Sequence, residues 1–179
     1  MGKLDELKDL VGRDAVKFGK FILSSGKESD IYVDLRKVTL NPEGATLIGE
    51  VVSDMIRNVE ADAIGGMTMG ADPIALAVAI KALEKGRRIN AIVVRKEQKA
   101  HGTMNWVEGP ANPGQKVIVV EDVITTGGSA GKAIDRLREN GFVVDTVIAV
   151  FDRMEGGKEA IESKGCRVLT VITRKDLQK

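Results

Sequence analysis

Two acids side by side at the end of an apolar run, followed at once by hydroxyls and glycines, are the residues of this chain best suited to chemistry. The run Val117-Ile118-Val119-Val120 leads into Glu121, Asp122, Val123, Ile124, Thr125, Thr126, Gly127, Gly128 and Ser129. Four consecutive apolar residues suit a strand buried on both faces, and Ala130, Ala133, Ile134 and Leu137 then recur at the spacing of an amphipathic helix. The turn therefore joins strand to helix. Glycines let the backbone approach an anion, hydroxyls add donors, and a helix N-terminus presents unpaired N–H groups with partial positive charge. The segment reads as a cradle for a sugar phosphate, with Glu121 and Asp122 placed to accept hydrogen bonds from two ribose hydroxyls. It is not a Walker A loop, because Ser129 rather than Lys follows Gly128, and no G-x-G-x-x-G pattern opens a helix.

A second cluster holds Arg95, Lys96, Lys99 and His101 against a single acid, Glu97, and His101 is the only histidine of the chain. From Arg95 to Pro113 no apolar period is sustained, while Gly102, Gly109, Pro110, Pro113 and Gly114 punctuate the segment. A loop of that length reads as a functional lid. Its cations suit a diphosphate, whose negative charge grows as it departs, and His101 can donate a proton or a hydrogen bond near neutral pH. Lys99 is the first choice for catalysis, with His101 beside it. Arg153 follows the strand-like run Val147 to Asp152, so it is expected just past a strand's carboxyl end, at the crevice where ligands of open α/β sheets collect. A salt bridge to Asp152 or Glu155 is the competing account of that arginine.

Elements that could hold these groups alternate along the chain. An amphipathic helix spans about Leu4 to Val11, and extended pieces cover Phe18 to Leu23 and Ile31 to Asp34. Asn41-Pro42 reads as an N-cap with Pro at N1, opening a helix whose Ile48, Val51, Val52 and Met55 share a face. Strand Ala61 to Gly65 is followed by a loop, Gly65 to Gly70, a plausible second anion site. Asp72-Pro73 starts a helix with Leu76, Ala79, Ile80 and Leu83 on one face. Strands Ile89–Val94, Val117–Val120, Val143–Phe151 and Val168–Ile172 complete the set. Strands separated by helices imply an α/β fold of three layers, with a mainly parallel central sheet, right-handed crossovers and flanking helices.

At 179 residues and 43% hydrophobic composition, the chain can bury a core as a single domain, 1–179. One cysteine excludes an intramolecular disulfide, and Cys166, next to a strand, reads as a small buried filler. No stretch approaches a membrane span and the amino terminus lacks a secretory h-region, so the expected location is cytoplasmic, with no membrane partner. A net charge of +1 offers no general surface for nucleic acid.

The stretch Val117 to Ser129 closely resembles the phosphoribosyl pyrophosphate motif of type I phosphoribosyltransferases. The segment Arg95-Lys96-Glu97-x-Lys99-x-His101-Gly102 resembles the catalytic loop of the orotate phosphoribosyltransferase family, and Phe18 to Arg36 resembles that family's amino-terminal signature. The three motifs occur in the family's order. The resemblance implies a type I phosphoribosyltransferase-like fold with residues 1 to about 40 as a small N-terminal hood. It implies transfer of ribose 5-phosphate from phosphoribosyl pyrophosphate to orotate in de novo pyrimidine biosynthesis, with Arg153 and Thr125 on orotate, Mg²⁺ bridging substrate oxygens rather than held in a protein cage, and a homodimer whose lid residues cross between subunits. Two departures stand out. Ser24 replaces a lysine many members carry before Ser-Gly, with Lys27 close by, and Met69-Gly70 replaces a Tyr-Lys pair. The rivals are a purine or uracil phosphoribosyltransferase and a phosphoribosyl-pyrophosphate-sensing regulator. Arg153 discriminates against the first, and retention of Lys99 and His101 against the second.

Overall fold

The acids, the cradle and Arg153 all stand at one end of a six-stranded sheet, seen in a computed structural model that describes residues 2–22, 28–97 and 106–178. The chain opens with helix α1 (Lys3–Asp14), which buries Leu7, Leu10 and Val11. Strands β1 (Val16–Ile22) and β2 (Glu28–Val33) then pair antiparallel in a separate two-stranded sheet. A one-turn helix α2 (Arg36–Thr39) follows. Helix α3 (Pro42–Met55) is capped as its sequence predicts: the Asn41 side chain accepts hydrogen bonds from the Glu43 and Gly44 N–H groups at 2.9 and 3.3 Å.

The larger sheet begins with β3 (Ala63–Met67), then α4 (Asp72–Glu84), β4 (Asn90–Val94) and β5 (Val107–Glu108). It continues with β6 (Lys116–Ile124), α5 (Gly128–Glu139), β7 (Val143–Asp152), α6 (Gly157–Glu162) and β8 (Arg167–Thr173), and a short α7 (Arg174–Leu177) ends it. The strand order is β5-β4-β3-β6-β7-β8, with only β5 antiparallel.

Strand periodicity builds the three layers. On β6, Ile118 and Val120 join the core formed with Leu7, Ile48 and Val78 of α1, α3 and α4, whereas Val117 and Val119 join Ala133, Ile134 and Leu137 of α5. Strands covered on both faces can therefore be apolar at every position, which is why they read as continuous hydrophobic runs.

Several expectations need correction. β6 does not stop at Val120: its pairing with β7 continues to Ile124↔Asp152, so Glu121 to Ile124 are strand residues and the turn starts at Thr125. β3 likewise runs to Met67, because parallel pairing with β4 continues to Met67↔Val94. The segment after β4 is not structureless to Pro113; Val107 and Glu108 return to pair with Val94 and Val93. Finally, α4 buries Ile74, Ala75, Val78 and Ala82, while Leu76, Ile80 and Leu83 face outward. Its apolar residues surround the helix, so periodicity could not say which stripe meets the sheet. Cys166 is buried as expected, and burial pushes its thiol pKa up. Among the described residues, no helix is long and apolar enough to cross a membrane.

Candidate functional site

The strand order reverses between β3 and β6, the neighbours at which open α/β sheets bind ligands. Pairing of β3 with β6 ends at Gly65↔Val119, whereas β6 continues with β7 for five further residues. The carboxyl end of β6 thus projects beside an opening crevice, carrying Glu121 and Asp122 into it.

Above these acids, Thr125, Thr126 and Gly127 form the turn. Gly127 takes a left-handed conformation with φ of 78°, and α5 starts at Gly128. Residues 123–130 enclose a cavity of about 140 Å³ against Glu121, and the α5 N-terminus has no side-chain cap. Its free N–H groups are available to an anion. From behind, α6 supports the turn closely: a Cβ on Gly157 would lie 2.6 Å from the Thr125 carbonyl oxygen and 2.8 Å from the Gly127 nitrogen.

A larger cavity, about 360 Å³, adjoins the cradle and collects residues remote in sequence. Its walls include Asp34 and Arg36 after β2, Thr68 to Gly70 after β3, Lys96 after β4, Glu121 and Asp122, Thr125, Ser129 and Arg153. The 68–70 turn contains a cis peptide between Thr68 and Met69, and Thr68 donates its hydroxyl to Asp72 at 2.6 Å. A side chain at position 70 would collide with the Asp122 carboxyl group, 2.8 Å from the built Cβ, so glycine there gives Asp122 its space.

The two acids differ in surroundings. Asp122 Oδ1 accepts from the Val123 N–H at 2.8 Å. Glu121 is only 5% exposed and its Oε2 has no partner among the described residues; burial, and then the neighbouring Asp122, push its pKa up to about 8, with Lys96 opposing the shift. At that value Glu121 holds a proton at neutral pH and can donate a hydrogen bond as well as accept one.

Arg153 lies just beyond β7, and its N–H donates to the Ile124 carbonyl at 3.0 Å, tying it to the end of β6. The side chain is 8% exposed. Nη2 donates to Ser29 Oγ of β2 at 2.9 Å and to Glu155 Oε1 at 2.8 Å, while Nε is buried without a partner among the described residues. Asp152 does not share the bridge; it accepts from the Met154 N–H instead. Arg153 also lines a cavity of about 730 Å³ between the hood strands and α7, with Phe21, Ser29, Glu155 and Arg174.

Not every residue singled out by sequence reaches the crevice. Arg95 donates to the Glu97 carbonyl at 3.3 Å and faces Glu108 at 3.5 Å, back along its own hairpin. Lys99 and His101, like Ser24 and Lys27, lie outside the described residues. Conversely, Ser29, Asp34, Arg36 and Thr68 were given no role by sequence reasoning. Arg36 and Asp34 pair at 2.8 Å and stand in the amino-terminal signature, which was the one available pointer to them. Among the described residues, no group of three or more His, Cys, Asp or Glu side chains forms a metal cage.

Comparison with known proteins gives the arrangement its relatives. The profile of the phosphoribosyl transferase domain matches residues 36–174. The orotate phosphoribosyltransferase of Nostoc sp. is 47% identical over 174 residues, covering 97% of this chain and 84% of that one. The crystal structure of Mycobacterium tuberculosis H37Rv orotate phosphoribosyltransferase with Fe(III) dicitrate superposes with a TM-score of 0.89 at 42% identity, covering 99% of this chain and all of the other. A structure of that mycobacterial enzyme in complex with 5-phospho-α-D-ribosyl 1-diphosphate has a TM-score of 0.84 at 39% identity, covering 98% of this chain and 99% of that one.

Proposed function

We propose a division of labour among the site residues of this chain, which belongs to the phosphoribosyltransferase family and, within it, to the orotate phosphoribosyltransferases. It transfers ribose 5-phosphate from phosphoribosyl pyrophosphate to N1 of orotate, releasing pyrophosphate and forming orotidine 5-phosphate, a step of pyrimidine synthesis. The observation that carries the division of labour is the shared cavity, where Lys96, Asp122, Thr125, Ser129 and Arg153 meet on one wall system.

The 5-phosphate sits on the uncapped α5 N-terminus, held by backbone N–H groups of residues 127–129 and the hydroxyls of Thr125, Thr126 and Ser129. Glu121 and Asp122 take the ribose hydroxyls, Glu121 as a partner that can donate as well as accept. Burial of the sugar between them excludes water from the anomeric carbon, where an oxocarbenium-like transition state demands positioning more than a protein nucleophile. The diphosphate leaves toward Lys96 and the 68–70 turn, and Arg95, Lys99 and His101 are assigned to it as well, Lys99 and His101 to neutralise and protonate the departing oxygens. Asp122, on the cavity wall beside Glu121, is the residue that would face a magnesium ion brought in with the substrate. Magnesium bound in this way supplies charge neutralisation to the leaving diphosphate.

Arg153 receives the orotate carboxylate, with Thr125 alongside. Its buried Nε, without a partner among the described residues, supports this reading, because a buried donor that makes no hydrogen bond is costly until an acceptor arrives. The whole chain works as a single cytoplasmic domain, hooded by its first 40 or so residues, in a homodimer. Leu76, Ile80 and Leu83 support the dimer as an outward apolar stripe on α4, each at least 50% exposed.

The assignment is tested by steady-state kinetics with each of orotate, uracil, adenine, guanine and hypoxanthine. Wild type should use orotate, and Arg153→Ala should raise orotate KM by roughly thirtyfold or more, the worth of a charge-assisted pair. Unchanged orotate kinetics in Arg153→Ala would remove that residue from the base site.

A further inference from the structure

Arg136 stands in the last turn of α5, the helix that carries the cradle at its other end, and its guanidinium touches three other chain segments. Nη2 donates to the Lys96 carbonyl at 2.9 Å, and Nη1 donates to the Arg95 carbonyl and approaches Met67 Sδ at 3.3 Å. Its central carbon lies 4.2 Å from the centroid of the Trp106 ring. A cation in a helix's last turn ordinarily balances the dipole, a task for which Lys serves as well as Arg. Here the planar fork is committed to two successive carbonyls and its face to an aromatic ring, an arrangement an ammonium cannot reproduce.

The tethered groups share a location. Arg95 N–H donates to the Trp106 carbonyl at 2.9 Å, closing the β4–β5 hairpin directly beneath Lys96, and Met67 ends β3 at the crevice. One side chain thus fastens the cradle helix to both legs of that hairpin. We infer that Arg136 is a positioning residue that fixes the backbone of Lys96 and with it the approach of the Lys96 ammonium to the diphosphate. The inference rests on the reading that Lys96 binds the diphosphate. It makes Lys96 placement a property of α5, the helix that also carries the cradle.

The test combines kinetics with fluorescence, because Trp106 is the only tryptophan of the chain. Arg136→Met, Arg136→Lys, Lys96→Ala and the double variant Arg136→Met/Lys96→Ala are compared with wild type, with thermal unfolding as the control for folding. Arg136→Met should change Trp106 emission, lower kcat/KM for phosphoribosyl pyrophosphate about tenfold or more, and leave orotate KM unaltered. Arg136→Lys should recover only part of that loss. In the Lys96→Ala background the same change should add almost nothing, since its effect passes through Lys96. If Arg136→Met does not fold, Arg136→Gln carries the comparison. Multiplicative losses in the double variant, full recovery by Arg136→Lys, or wild-type kinetics in Arg136→Met would each overturn the inference while leaving Lys96 in place. Wild-type kinetics in Lys96→Ala would instead remove Lys96 from the diphosphate site, and the positioning role would fall with it.

Discussion

Glu121 is a buried acid in the cradle and makes the site sensitive to pH. Its pKa in the folded chain, about 8, exceeds the ordinary 4.5, so the native state holds this proton more tightly than the unfolded state does. The stabilisation is complete below the ordinary value and is lost as pH rises through about 8. Glu121→Gln cannot ionise, so urea unfolding across pH 5 to 9 should give a flatter stability profile than wild type, with the two diverging most above about pH 8. Parallel profiles would place the residue in a more solvated setting. At the same scale, the roles proposed for Lys99 and His101 are chemical: truncating both to Ala should lower kcat by roughly a hundredfold or more. Full turnover in that double variant, followed as pyrophosphate release, would move the chemistry elsewhere.

The elements explain why the cradle is where it is. β6 outlasts its pairing with β3, and the turn that follows is pressed against the start of α6. Gly157 is the pivot of that contact. A methyl group there has no room between Ile124, Thr125 and Gly127, and backbone cannot yield as a flexible side chain does. Gly157→Ala should therefore cost about 1–3 kcal/mol of stability and raise KM for phosphoribosyl pyrophosphate, while orotate KM moves less. Calorimetry with substrate-dependent kinetics checks this, and a neutral outcome in both would mean that α6 merely rests near the cradle.

For the whole molecule, the proposed homodimer, with the outward stripe of α4 at its seam and a lid crossing between subunits, would make assembly part of the activity. Leu76→Glu with Ile80→Glu should shift the protein to monomer in sedimentation and reduce turnover, because charges oppose burial of that stripe. Mixed dimers offer the sharper measurement. A Lys99→Ala subunit combined with an Asp122→Asn subunit should regain part of the lost activity if each lid serves its neighbour, since one site of each mixed dimer is then intact. No recovery in verified mixed dimers would confine the lid to its own chain.

Some of this protein was legible from its residues alone. The order of the longer strands and helices, the turn that opens at Thr125 and the place of Arg153 follow from local patterns, because apolar period, glycine and capping chemistry act over a few neighbouring residues. Tertiary structure decided the rest. Which stripe of α4 meets the sheet, how far β6 runs, the proton on Glu121 and the grip of Arg136 on Arg95, Lys96 and Trp106 depend on groups far apart in sequence. Desolvation, strand pairing and hydrogen bonds to backbone carbonyls are set by what folding brings alongside, and a carbonyl partner leaves no trace in residue type.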